Sequence, residues 1–104
     1  MKVIAINGSP KAEGNTYHAL RVIGNQLAES GIELEIIHVG NKAIHGCTGC
    51  GQCFKHKDER CHMKDDGVND AIQKMKEADG IIIASPVFYA GIAGTMKCFL
   101  DRAF

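Results

Sequence analysis

The sequence predicts an α/β domain built on a parallel sheet with helices on both faces. Three observations carry that expectation. Val3-Ile4-Ala5-Ile6 and Ile81-Ile82-Ile83-Ala84 are continuous apolar runs, not alternating ones, which is the pattern of strands buried on both sides. Each run ends in turn residues, Asn7-Gly8-Ser9-Pro10 and Ser85-Pro86. Helical spacings separate the strands and give the order β-α-β-loop-α-β-α, which favours parallel pairing through helical crossovers.

Taken in order, the strand at Val3–Ile6 exits into a polar loop, Lys11-Ala12-Glu13-Gly14-Asn15. Asn15 or Thr16 is placed to cap a helix whose apolar positions are Leu20, Ile23 and Leu27. Gly31 is a plausible C′ residue closing it. Leu34 to Val39 reads as the second strand, with Ile36, Ile37 and Val39 for β propensity. Residues 40–64 keep no helical or strand period and are expected to form a loop. Asp65 or Asp66 is placed to cap the next helix, with Val68, Ile72 and Met75 on one face. Gly80 precedes the third strand, Ser85 to Gly91 is expected to be a loop, and Met96, Phe99, Leu100 and Ala103 mark a last helix.

The 104 residues suffice for one domain, 1–104, with a cysteine-rich insertion at about 45–64. Net charge is zero and no charged block stands out, so nothing points to nucleic acid. No apolar run approaches the roughly 20 residues of a membrane span, and the first one is shorter than the core of a signal peptide. A cytoplasmic location is therefore expected. The chain stops inside a helical pattern, and its third strand would lie at an unprotected sheet edge. Both features predict a truncated chain, or a sheet completed by a partner.

The stretch Gly8 to Thr16 joins the first strand to the first helix, on the ligand side of an open α/β sheet. A helix start offers free N–H groups and a positive dipole end to an anion. Ser9 and Thr16 add hydroxyls, Asn15 an amide and Lys11 a charge, while Gly14 allows close approach. Neither the dinucleotide fingerprint nor the Walker A pattern is present, so a single phosphomonoester suits the loop best. A polar strand-to-helix turn with a good cap explains the same residues. The second loop, Ser85-Pro86-Val87-Phe88-Tyr89-Ala90-Gly91, leaves strand three toward the same crevice. There Pro86 fixes backbone shape, Phe88 and Tyr89 can wall a flat ring, and Gly91 permits close approach. Ordinary core or interface aromatics would look the same.

Cys47, Cys50, Cys53 and Cys61 follow a C-x2-C-x2-C-x7-C pattern. Such spacing suits four thiolates around an iron–sulfur cluster and differs from a zinc ribbon, whose C-x2-C pairs lie well apart. Zinc, or free thiols, stay open as occupants of the pattern. Gly46, Gly49 and Gly51 give the backbone freedom to wrap a cluster, and their N–H groups can bond its sulfurs. His45, His56 and His62 flank the site and are read as solvated loop residues. Cys98, in the last helix, is read as a buried inert thiol.

Ile6-Asn7-Gly8-Ser9-Pro10-Lys11, Gly14-Asn15-Thr16, Ser85-Pro86-Val87-Phe88-Tyr89, Met96-Lys97 and Phe99-Leu100-Asp101-Arg102 resemble the NADPH-dependent FMN reductase group of flavodoxin-like proteins. With Gly46 to Cys53 and Cys61…Asp65-Asp66 inserted after strand two, the chain resembles the iron–sulfur flavoproteins over nearly its whole length. The resemblance implies a flavodoxin-like three-layer α/β/α fold, FMN, a [4Fe–4S] cluster on the four cysteines and a homo-oligomer. It places the phosphate at Ser9, Lys11, Gly14, Asn15 and Thr16, and the ring edge at Pro86, Val87, Phe88, Tyr89 and Gly91. Family members continue with two more strands and helices, so the chain is expected to lack the C-terminal part.

The expected function is redox electron transfer through cluster and FMN, between a one-electron carrier such as ferredoxin and a small acceptor. No side chain stands out as an acid–base catalyst, so the chemistry would belong to the cofactors. One rival is an NAD(P)H-dependent FMN or quinone reductase with structural cysteines. A second is a noncatalytic, zinc-stapled binding module.

Overall fold

The computed structural model describes residues 1–63 and 66–104. Its central sheet contains β1 (Lys2–Asn7), β2 (Glu33–His38) and β3 (Gly80–Ala84) in the order β2-β1-β3, all parallel. Ile4 lies between Glu35 and Ile81, and Ile6 between Ile37 and Ile83. Helix α1 (Asn15–Ala28) links β1 to β2 and packs on both. The second crossover holds α2 (Gln52–His56) and α3 (Val68–Glu77). Beyond β3 come a two-stranded hairpin, β4 (Val87–Phe88) and β5 (Gly91–Ile92), and then α4 (Gly94–Ala103).

Because side chains alternate along a strand, Ile4 and Ile6 share one face of β1 and Ala5 takes the other. The two isoleucines sit in a core with Val39, Val68, Ala71, Ile72 and Met75, and with Ala93, Met96 and Phe99 of α4 and its start. Val68, Ile72 and Met75 of α3 are buried as expected. Helix α1 departs from the expected face. Leu20 is buried, but Ile23 is 38% exposed. Gly24 lies against β2 in its place, and a Cβ there would stand 2.9 Å from Leu34 Cδ2. The sheet-facing stripe is therefore Leu20, Gly24 and Leu27, still at helical spacing.

Gly31 ends α1 as expected. At φ 73 it donates to Ala28 O at 3.0 Å, and Ile32 N–H reaches back to Leu27 O at 3.0 Å, the paired bonds of a Schellman motif. The helix starts differ from expectation. Gly14 holds the N-cap position of α1, so Asn15 and Thr16 lie inside the helix. Gly67 (φ 94) holds that of α3, and Asp66 directs its carboxylate to Arg102. Asp65 lies outside the described residues.

Two segments expected to be loops carry structure. Helix α2 forms within the cysteine stretch because Gly51 (φ 74) and Lys57 (φ 52) turn the chain in and out of it. The hairpin forms because Tyr89 (φ 54) and Ala90 (φ 63) both take positive φ, as the tight two-residue connection of a type I′ turn demands. Strand β3 pairs with β1 alone among the described residues, and Ile81 and Ile83 on it are about half exposed. No helix among the described residues is long and apolar enough to cross a membrane.

Candidate functional site

The carboxyl ends of the parallel strands bring two loops together. After β1, Gly8 N–H bonds Ala84 O at 2.8 Å, which ties the first loop to the end of β3. Ser9 N–H bonds Asn7 Oδ1 at 3.0 Å, and Lys11 N–H bonds Ser9 Oγ at 3.2 Å. The end of β2 braces the same loop. His38 Nε2 lies 2.6 Å from Ser9 O, and since a carbonyl only accepts, that ring nitrogen carries the proton. His38 was not among the expected site residues. Its position as the last residue of β2, at the carboxyl rim of the sheet, is the signal that would have found it.

A cleft of about 260 Å³ opens there, lined by Ser9, Pro10, Lys11, Gly14, Asn15, Thr16, Pro86 and Phe88. The N-cap of α1 makes no side-chain bond, and the start of the helix, Gly14 to Thr16, lines this cleft, where first-turn N–H groups have no partner within the helix. That arrangement suits an anion of phosphate type, with Lys11 beside it. Of the expected residues, Val87, Tyr89 and Gly91 do not line the cleft. Val87 and Tyr89 are exposed on the hairpin, and a Cβ on Gly91 would meet nothing closer than Phe88 O at 3.8 Å. The special backbone conformations thus belong to Tyr89 and Ala90. Ser85 Oγ, which accepts from Ala93 N–H at 3.0 Å, anchors the base of the hairpin.

The positive φ at Ala90 carries a strain that glycine would lack. Ala90→Gly is expected to stabilise the hairpin by about 0.5–1 kcal/mol, after allowance for the freer unfolded chain. Urea unfolding with hydrogen exchange at Phe88 and Gly91 checks this. An unchanged or lower midpoint would remove the strain argument.

The four motif cysteines line a second, narrower cleft together with Gly51, His62, Met63, Asp101, Arg102 and Phe104. Cys47, Cys50 and Cys53 are exposed and Cys61 is half-buried. They share the cleft without converging: among the described residues no three His, Cys, Asp or Glu side chains form a ready metal site. Gly49 N–H points at Cys47 Sγ, 3.4 Å away. Cys61 is held more firmly. Asn69 of α3 brackets its backbone, accepting from Cys61 N–H at 2.8 Å and donating to Cys61 O at 2.7 Å. Arg102 Nε donates to its sulfur at 3.3 Å.

Arg102 also bonds His45 O at 3.1 Å and pairs with Asp66. Burial alone would raise the Asp66 carboxyl, but the hydrogen bond and charge of Arg102, together with backbone N–H groups at Val68 and Asp66, hold that carboxyl below its ordinary range. The Asp66 hydrogen bond in turn raises Arg102, against the opposing effect of burial. Neither Asn69 nor Arg102 was expected at this site. Among the flanking histidines, His56 and His62 stack at 4.5 Å and His62 pairs with Asp58 at 3.0 Å. His45 Nδ1 bonds Gly46 O. Cys98 is partly exposed, not buried. It lies beside Gly46, where a Cβ would be 3.5 Å from its sulfur.

A parallel α/β sheet in the order β2-β1-β3, flanked by helices and with a cleft at its carboxyl rim, defines a flavodoxin-like domain. The chain matches the NADPH-dependent FMN reductase family over residues 1–104, and it belongs to that family. It is 45% identical over 103 residues to an iron-sulfur flavoprotein of Methanocaldococcus jannaschii, covering 99% of this chain and 52% of that protein. An iron-sulfur flavoprotein of Archaeoglobus fulgidus is 40% identical over 103 residues, with 99% and 49% covered. Among solved structures, the apo form of an NADH:FMN oxidoreductase superposes with a TM-score of 0.64 at 26% identity. That match covers 97% of this chain and 49% of the other. The chain therefore spans about half the length of the relatives it matches.

Proposed function

We propose that the chain supplies the cofactor-binding part of a flavin-dependent oxidoreductase that moves electrons through FMN and a [4Fe–4S] cluster. The observation that carries this reading is the presence of two clefts on one fold, one lined by the phosphate-type loop and the other by all four motif cysteines. Relatives named iron-sulfur flavoprotein support it.

When bound, the flavin supplies hydride and single-electron chemistry, and the cluster one-electron chemistry. The chain's own residues bind and orient. Ser9, Lys11, Gly14, Asn15 and Thr16, with the first-turn N–H groups of α1, fit the FMN phosphate. Pro86, Val87, Phe88, Tyr89 and Gly91 form a projecting hairpin that fits the edge of a flat ring, with Pro86 and Phe88 nearest the phosphate loop. Cys47, Cys50, Cys53 and Cys61 fit the cluster by the chemistry of their donor set: four sulfurs on one cleft, with N–H donors already aimed at two of them. Cys47 and Cys50 lie on a segment with positive φ at Gly49 and Gly51 and Cys53 lies on α2, and holding a cluster would require them to close toward the better-fixed Cys61. A one-electron carrier such as ferredoxin, or NAD(P)H, would exchange electrons with a small-molecule acceptor, in a homo-oligomer.

The test is anaerobic reconstitution with FMN, ferrous iron and sulfide. The expected product is brown, with bound FMN and with iron and acid-labile sulfide in equal amounts. Cys61→Ser is expected to lose the iron and keep the FMN. A colourless protein with stoichiometric zinc overturns the cluster assignment. One observation favours a second reading, in which the cysteines are structural and the chain serves an NAD(P)H-dependent FMN or quinone reductase: the cysteine side chains do not converge. Undiminished NAD(P)H oxidation by a protein lacking all four cysteines supports that reading.

A further inference from the structure

We propose that Arg102 is a positioning residue for the cysteine site: its guanidinium ties both arms of the cysteine segment to α4 and sets a fixed positive charge on the Cys61 sulfur. The inference rests on the cluster reading above and goes beyond it, because the four-cysteine pattern says nothing of Arg102.

The geometry is specific. The Arg102 side chain is 1% exposed. A guanidinium that deep in a protein is costly unless its donors are matched. Asp66 supplies the countercharge, and a buried ion pair stapling α4 in place would need nothing more. Yet the same group also bonds His45 O, two residues before Cys47, and turns Nε to Cys61 Sγ. One side chain thus grips the segment just before its first cysteine and at its last. A neutral thiol is a weak acceptor for a buried cationic N–H, whereas a thiolate makes a charge-assisted bond. The contact is therefore well matched to a sulfur that keeps its negative charge, as a cluster ligand does. An arginine cannot lose its proton in a protein, so the charge there is permanent. Asn69 fixes the backbone of the same cysteine from α3. Cys61 is in this way set from two helices, the fixed point toward which the three exposed cysteines would have to close to hold a cluster. Hydrogen bonds and positive charge at a ligating sulfur favour the reduced, more negative state of a cluster and tune its potential.

The experiment compares wild type, R102Q, R102K and D66N, each reconstituted anaerobically with ferrous iron and sulfide. The readouts are the midpoint potential of the cluster and the rate at which a ferrous chelator strips the iron. For R102Q the midpoint is expected to move to more negative potential, and iron loss to speed up by about 10–100-fold, the usual reach of an outer-shell partner. R102K keeps the charge but cannot span His45, Asp66 and Cys61 together. It is expected to hold the potential closer to wild type while still losing iron faster. D66N is expected to accelerate iron loss through release of the anchor. Should R102Q fail to fold, R102K and D66N carry the test, and wild-type retention in both overturns the proposal. A wild type that retains iron beside an R102Q protein of equal potential and equal retention also overturns it, leaving the cluster reading intact. A wild type that takes up no iron defeats the cluster reading, and this proposal with it.

Discussion

Replacing Gly40 by alanine is expected to destabilise the fold by about 3 kcal/mol or more, the upper end of overpacking costs, and to distort the phosphate-type loop. Gly40 follows β2 at the point where the chain crosses the loop leaving β1. Its N–H bonds Asn7 O at 3.2 Å, beside the bond from Val39 N–H to the same oxygen at 3.0 Å. A Cβ built on Gly40 would stand 2.1 Å from Ser9 O, 2.3 Å from Ser9 C and 2.5 Å from Gly8 C. All three are backbone atoms, so no rotamer change relieves the clash. The φ of Gly40 is not in the left-handed region. The need for glycine is therefore one of space between two backbones. Relief requires Gly8-Ser9 to move, and that displaces Ser9 and Lys11 in the cleft. Urea unfolding is expected to show the loss of stability, and a fluorescence titration with FMN a weaker affinity than wild type. Wild-type values in both would show that the two loops do not pack as described.

That contact also shows where the sequence stops being readable. Three strands, three main helices and their order were legible because their signals are local. Val3–Ile6 and Ile81–Ala84 are apolar runs bounded by turn residues, and α3 carries Val68, Ile72 and Met75 at helical spacing. That the loop after β1 lines a cleft with Pro86 and Phe88 was legible because both loops leave the carboxyl ends of parallel strands. Gly40 against Ser9, and Arg102 against Cys61 and Asp66, join residues about 30–40 positions apart, and no pattern in a single sequence marks such partners. The caps failed for a related reason. Asn15 and Thr16 are good capping types, but Gly14 already takes the N-cap position, which leaves their polar atoms on the cleft side of the helix start. Ile23 fits a helical spacing with Leu20 and Leu27, but Gly24 fits it equally, and the absence of a side chain there lets Leu34 approach and turns that face to the sheet. The hairpin was hidden because its turn uses Tyr89 and Ala90 at positive φ, where the usual signal is Asn-Gly or Asp-Gly.

Phe99→Ala is expected to cost about 3–5 kcal/mol, the range for deleting a fully buried ring. Phe99 is fully buried and belongs to the core that includes Ile4, Ile6, Val68, Ile72, Met75 and Met96. Small domains have only about 5–15 kcal/mol of net stability in total, so this one change brings the chain close to unfolding. Phe54→Ala provides the control. Its ring is 81% exposed on α2, and its removal should fall within about 0.5 kcal/mol of wild type. Urea midpoints of the two variants separate core from surface directly, and equal costs would mean the core lies elsewhere. The consequence extends to the cysteine site, because α4 bears both Phe99 and, three residues on, Arg102. A helix loosened from the sheet can no longer hold Arg102 against His45 O and Cys61 Sγ. Iron retention in the reconstituted protein should therefore fall along with stability in Phe99→Ala and stay near wild type in Phe54→Ala. A Phe99→Ala protein that is destabilised yet retains iron as wild type does would mean that the grip on the cysteine segment does not depend on how α4 is seated.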